Sequence, residues 1–180
     1  MMCALFITAA LFSQTEQIEN GSLLFVANGN NIVQTHTNST LTHVGVVLNN
    51  NGDPWFYDAI PPKVRKIKLA DYIEEIKKEN NKKKAKVKLI VWIARPDHPL
   101  NQTEYKIMKK YLESQIGKPY SIDSFVLGAP GNGVHCCEMT GKAFEVIDRS
   151  YTANPGADSP VSVWKKTKDF FPKREEINLD

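Results

Sequence analysis

THVGVVLNNNGDPWFYDAI, residues 42–60, is two β-rich runs around an Asn-Gly-Asp-Pro turn. Gly and Asn tolerate the left-handed backbone that tight turns need, so the segment predicts a β-hairpin. Side chains alternate across a strand, which puts His43, Gly45 and Val47 on one face and Val44, Val46 and Leu48 on the other. His43 therefore opens a strand made otherwise of core residues. Asp58 lies inside the apolar run WFYDAI, where a carboxylate needs a partner. With a connection of about six residues, cross-strand pairing can bring Asp58 near His43, though counting alone does not fix the register.

Working outward, SLLFVAN after Gly21 reads as a buried strand, and Gly29 to Thr40 as a loop or irregular helix. Beyond Pro61-Pro62, KVRKIKL alternates imperfectly, and DYIEEIKKEN has the spacing of a short amphipathic helix. Lys86 to Ala94 is the most strand-like run in the chain. Asn101, with Glu104 three residues on, predicts a capped helix carrying Met108, Tyr111, Leu112 and Ile116 on one side, stopped by Gly117 and Pro119. Ser121 to Gly133 is a long loop with Gly128, Gly131 and Gly133, of the kind that is functional or mobile. In VHCCEMTGKAFEVIDRS, Cys136, Met139, Ala143, Val146 and Ile147 recur at helical spacing. After Ser159-Pro160, a short helix or turn is expected to pack Val163, Trp164 and Phe170 onto the domain.

The 180 residues, 42% apolar and 24% charged, are an ordinary globular composition that excludes a disordered or membrane-embedded body. A net charge of +3 does not argue for nucleic acid, and the basic run from Lys77 to Lys88 reads as a solvated helix end and loop. Cys3, Cys136 and Cys137 make no disulfide framework, since two are adjacent and the third lies in a segment that reads as removable. The apolar stretch from Met2 to Phe12 is too short to span a bilayer and resembles a signal peptide, although no Lys or Arg precedes it; a first strand or helix is the other reading. We expect residues 1–20 to be a leader and 21–180 a single domain. The protein is then periplasmic or secreted if the leader is a signal peptide, and cytoplasmic otherwise.

A helix start favours a thiolate through its free N–H groups and aligned dipole. Cys136 occupies such a place, after a Gly-rich loop, and Cys137 is rotated from it by about 100°. Two adjacent cysteines can equally be small buried apolar residues. A nucleophilic thiol needs a base, and His43 on its strand is one candidate. His36 falls in a polar segment, His98 reads as surface, and the His135 side chain should diverge from its neighbour Cys136. Asp58 can orient the His43 ring. A metal site can be drawn from His135, Cys136, Cys137 and His43, but no spaced pair of the zinc kind is present, so neither metal nor cofactor is expected. No phosphate loop, dinucleotide fingerprint or G-x-S-x-G elbow occurs.

Taken in order, GSLLF, LTHVGVVL, FYDAI, LIVWIARP, GKPYSIDSF, HCCEMTGKAF and DSPVSV resemble successive segments of one family, the permuted papain-like amidases of the NlpC-like superfamily. The likeness is to its YiiX and YaeF type, to which a poxvirus group is related. The resemblance implies an α+β, circularly permuted papain-like fold, an antiparallel sheet packed on helices with the His-bearing strand before the Cys-bearing helix. It assigns Cys136 as nucleophile, His43 as base and Asp58 as orienting acid. Asp58 stands where the family has Glu, His135 where it has Tyr and Cys137 where it has Ser. The shorter carboxylate needs a closer approach or a bridging water. The implied activity is a cysteine hydrolase of amide bonds, with cell-wall peptides or related small amides as substrates. The alternatives are acyl-lipid chemistry or a non-catalytic binding module. Tyr120 and the Gly128 to Gly133 loop are expected to line the cleft. No nucleic-acid partner or stable membrane span is expected.

Overall fold

In a computed structural model, residues 18–82, 87–127 and 132–179 are described. Residues 1–17 of the expected leader, with Cys3, the centre of the basic run and the Gly128 to Gly131 part of the loop lie outside them. The long apolar runs become β1 (Ser22–Ala27), β2 (Leu41–Asn50), β3 (Asp53–Ile60) and β5 (Ile90–Arg95). With β4 (Lys63–Lys68) and β6 (Lys173–Glu176) they form a six-stranded sheet in the order β4-β3-β2-β1-β5-β6, every pair antiparallel.

The hairpin that the sequence announces has a tighter turn than its Asp-Pro suggests. Asn49 pairs with Pro54 and Asn50 with Asp53, leaving Asn51 and Gly52 alone in the turn. Both have positive φ, 55° and 89°, the twist that a two-residue hairpin requires. The connection is therefore two residues rather than about six, and that fixes the register. Carried on from Val46 opposite Tyr57, it sets Asp58 opposite Gly45 and diagonal to His43 on the same face.

Helices cover both faces. The helix α1 (Asn31–Thr37) occupies the polar segment after β1, capped by the Asn30 side chain. α2 (Leu69–Lys82) lays Leu69, Tyr72, Ile73 and Ile76 against Leu24, Val47, Phe56 and Val91 of the sheet. α3 (Gln102–Gln115) and α5 (Cys136–Glu145) pack Met108, Leu112, Met139 and Ala143 on the opposite face, against Leu23, Phe25, Val44 and Val46. Between them α4 (Asp123–Leu127) is a short turn of helix inside the stretch expected as loop. A 3₁₀ turn (Pro155–Ala157) and α6 (Pro160–Lys166) follow α5. Val163 is buried and Trp164 sets its ring edge-on to Phe25, centroids 5.0 Å apart. Phe170, expected in the core, is 48% exposed, and Phe171 takes its place because the chain turns at the end of α6. Ile18 is buried in the α2 layer and Glu19 pairs with Arg95 at 2.9 Å. Among the described residues no helix is long and apolar enough to cross a membrane.

The predicted cap of α3 is a complete capping box, Asn101 accepting from Thr103 and Glu104 while Glu104 accepts from the Asn101 N–H. Asn101→Ala is expected to cost about 1 kcal/mol, read as a lower urea midpoint at unchanged slope.

Candidate active site

Three elements bring one chain of polar groups together. β2 carries His43, β3 carries Asp58, and the first turn of α5 carries Cys136. His43 stands where the pairing of β2 with β1 slips between Val26 and Ala27, at the margin of the sheet. Gly45, between His43 and Val47, allows the hairpin to close: a Cβ there would lie 2.5 Å from both the Phe56 ring and the Tyr57 carbonyl oxygen.

Asp58 is fully buried, and its Oδ1 lies 2.5 Å from Nε2 of His43. No bridging water is needed for the shorter carboxylate. Its other oxygen accepts from Nε of Arg65 at 3.1 Å. Arg65 in turn pairs with Glu75 of α2 at 2.9 Å. Arg65 belongs to none of the motifs of the sequence, yet a signal was present. A hairpin folded about Pro61-Pro62 sets Arg65 directly opposite Asp58, and that is the observed register.

With Nε2 engaged, Nδ1 is the His43 nitrogen left for Cys136, to which the ring is electrostatically coupled. Burial disfavours the imidazolium, but the Asp58 charge and hydrogen bond outweigh it, with a contribution from Cys136, and raise His43 to about 10. Cys136, 6% exposed, is held well below the ordinary thiol range. The Cys137 thiol does most of this by hydrogen bonding, against the cost of burial, and His135 and His43 add to it. Cys137 moves the other way, pushed up by burial and by the neighbouring thiolate. The two sulfurs, expected to point apart, converge to 3.8 Å.

His135 departs from expectation too. It is the N-cap of α5, with extended backbone at φ −104° and ψ 170°, so the angular separation of helical neighbours does not govern it. Its ring offers a nitrogen within 4.8 Å of the Cys136 sulfur and makes a 2.9 Å contact from Nε2 to the Gly156 carbonyl. His135 offers no side-chain bond to the start of α5, which leaves the first N–H groups of the helix uncapped beside the thiol. Each of His135, Cys136 and Cys137 also offers an atom suited to a soft cation, all within 4.8 Å of one another.

Tyr120 is half-buried, bridged to Val134. Burial raises its phenol, and the charges of Cys136, Cys137 and Asp58 raise it further. His98 is on the surface and His36 stacks edge-on against Phe125, centroids 5.0 Å apart.

No protein-family model matches this chain, and no curated protein does. Among solved structures it is similar to the metalloprotein YiiX from Escherichia coli O157:H7, at 17% identity and a TM-score of 0.58. The match covers 89% of this chain and 88% of that one. The two share a fold, an antiparallel sheet between helices.

Proposed function

We propose, on the ground of this YiiX-like fold and of the Cys136, His43 and Asp58 arrangement, that the chain is a cysteine hydrolase of amide bonds with a permuted papain-like topology. The observation that carries the reading is a thiol at a helix start, electrostatically coupled to an imidazole that a buried carboxylate holds at 2.5 Å. Asp58 orients the His43 ring and stabilises its protonated form. With Cys136 held below and His43 above its ordinary range, the thiol proton already rests on His43 at neutral pH, and the thiolate attacks the acyl carbon. The oxyanion that forms is met by N–H groups at the start of α5. His43 then returns its proton to the leaving amine and takes one from the water that releases the acyl group, restoring the thiolate and the protonated ring. Tyr120 lines the acyl-binding side. Cell-wall peptides and related small amides are the proposed substrates, and an exported location is the one that supplies them.

The test is labelling of the reduced chain with iodoacetamide, mapped by peptide mass. Cys136 in the folded protein is expected to react more than about tenfold faster than in a urea-unfolded control. His43→Ala should remove about a hundredfold of that reactivity and of muropeptide cleavage. Equal rates folded and unfolded, with no effect of His43→Ala, would exclude an activated thiol. A stable thioester formed with phospholipid and no cleavage of muropeptides would replace the amidase by an acyl-lipid enzyme.

A further inference from the structure

Cys137 has no part in the mechanism above, yet its buried sulfur lies 3.8 Å from that of Cys136. Two sulfurs, each about 2.3 Å from one zinc ion at the tetrahedral angle, stand about 3.8 Å apart. The pair therefore already spans one edge of a zinc tetrahedron. His135 supplies a third ligand atom within 4.8 Å of both, and all three residues are buried. A carbonyl oxygen only accepts, so the contact with Gly156 places a ring hydrogen on Nε2 and leaves Nδ1 as the metal-binding atom, which gives up to solvent any proton it shares with Cys136. Metal-binding histidines are oriented by just such a bond from the second nitrogen.

Two thiolates and an imidazole select a borderline-soft ion over calcium or magnesium. The sequence argued against a metal because it lacks a spaced Cys or His pair. Three consecutive residues suffice here because His135, at the extended N-cap, is not bound to helical spacing. We infer that His135, Cys136 and Cys137 form a zinc site with three protein ligands and one open position. Both thiols bind as thiolates, and any proton still on them is released to solvent; no oxidation is involved. Zinc takes the lone pair with which Cys136 would attack, so bound metal and acyl transfer exclude one another. The ion is a reversible silencer of the hydrolase proposed above, on which this role rests.

The experiment adds cobalt(II), then zinc, to the reduced full-length chain. One cobalt per chain is expected, with the intense visible absorption of tetrahedral geometry and a near-ultraviolet charge-transfer band from two thiolates. Zinc should displace it and protect Cys136 from iodoacetamide. Cys137→Ser and His135→Gln should each lower zinc affinity by at least about tenfold, and Cys137→Ser should also halve the charge-transfer band. Cys136→Ser is the second sulfur deletion, with circular dichroism confirming the fold of each variant. His43→Ala should lose thiol reactivity and keep the cobalt spectrum, so that failure of the hydrolase reading and failure of the metal site are told apart. A weak octahedral spectrum, or a tetrahedral one indifferent to all three ligand substitutions, overturns the site.

Discussion

Replacing Asp58 with asparagine is expected to lower turnover by about 10³- to 10⁴-fold, and the reason lies in Arg65. Nε of Arg65 needs an acceptor, so the amide oxygen of the substituted side chain would turn toward it and the amide NH₂ toward Nε2 of His43. Nε2 would then have to be the acceptor, which forces the ring hydrogen onto Nδ1, the nitrogen facing Cys136. A ring in that tautomer cannot take the thiol proton. Nitrogen-15 spectra of His43 read the tautomer directly, and iodoacetamide labelling reads its effect. Asp58→Ala takes a different toll. It strips the buried partner from both His43 and Arg65, and removing one member of a buried charged set costs about 3–5 kcal/mol, measured as urea unfolding. If Asp58→Asn keeps turnover within tenfold of the parent, Asp58 does not orient the base.

Gly45→Val is expected to destabilise the fold by about 3 kcal/mol and to weaken Cys136 labelling more than the lost stability accounts for. The new Cβ would collide with backbone, the Tyr57 carbonyl oxygen at 2.5 Å, as well as with the Phe56 ring. Backbone cannot swing aside as a flexible side chain does, so β3 must retreat from β2 where Asp58 faces His43. Labelling rates are to be compared under conditions where both proteins are fully folded. A loss below about 1 kcal/mol with parental labelling would show that the hairpin yields without moving the pair.

The strands with strong apolar content, the capped helix α3 and the Cys-bearing helix were legible because each has its own local signal. β6 was not: KREE has no apolar alternation, and it is a strand through its pairing with β5 at the sheet edge. The hairpin register escaped because Asp53 and Pro54 read as turn residues although both pair with β2. At the site, His43 and Cys136 stood out by residue type and position. Asp58 became specific only with the two-residue turn. His135 was misjudged because helical geometry was applied one residue too early, at a cap whose backbone is extended.

The ion pair between Arg65 and Glu75 sets an unexpected limit on which surface positions can drift freely. Glu75 is 48% exposed on the outer face of α2, with the sheet between that helix and α5. By burial alone a survey of random substitutions would class it as neutral. Yet it steadies the arginine that holds Asp58, so its tolerance should be set by the chemistry at Cys136 and not by its own surroundings. A deep mutational profile scored on turnover would then show an isolated sensitive spot at position 75, across the sheet from the helix that bears Cys136.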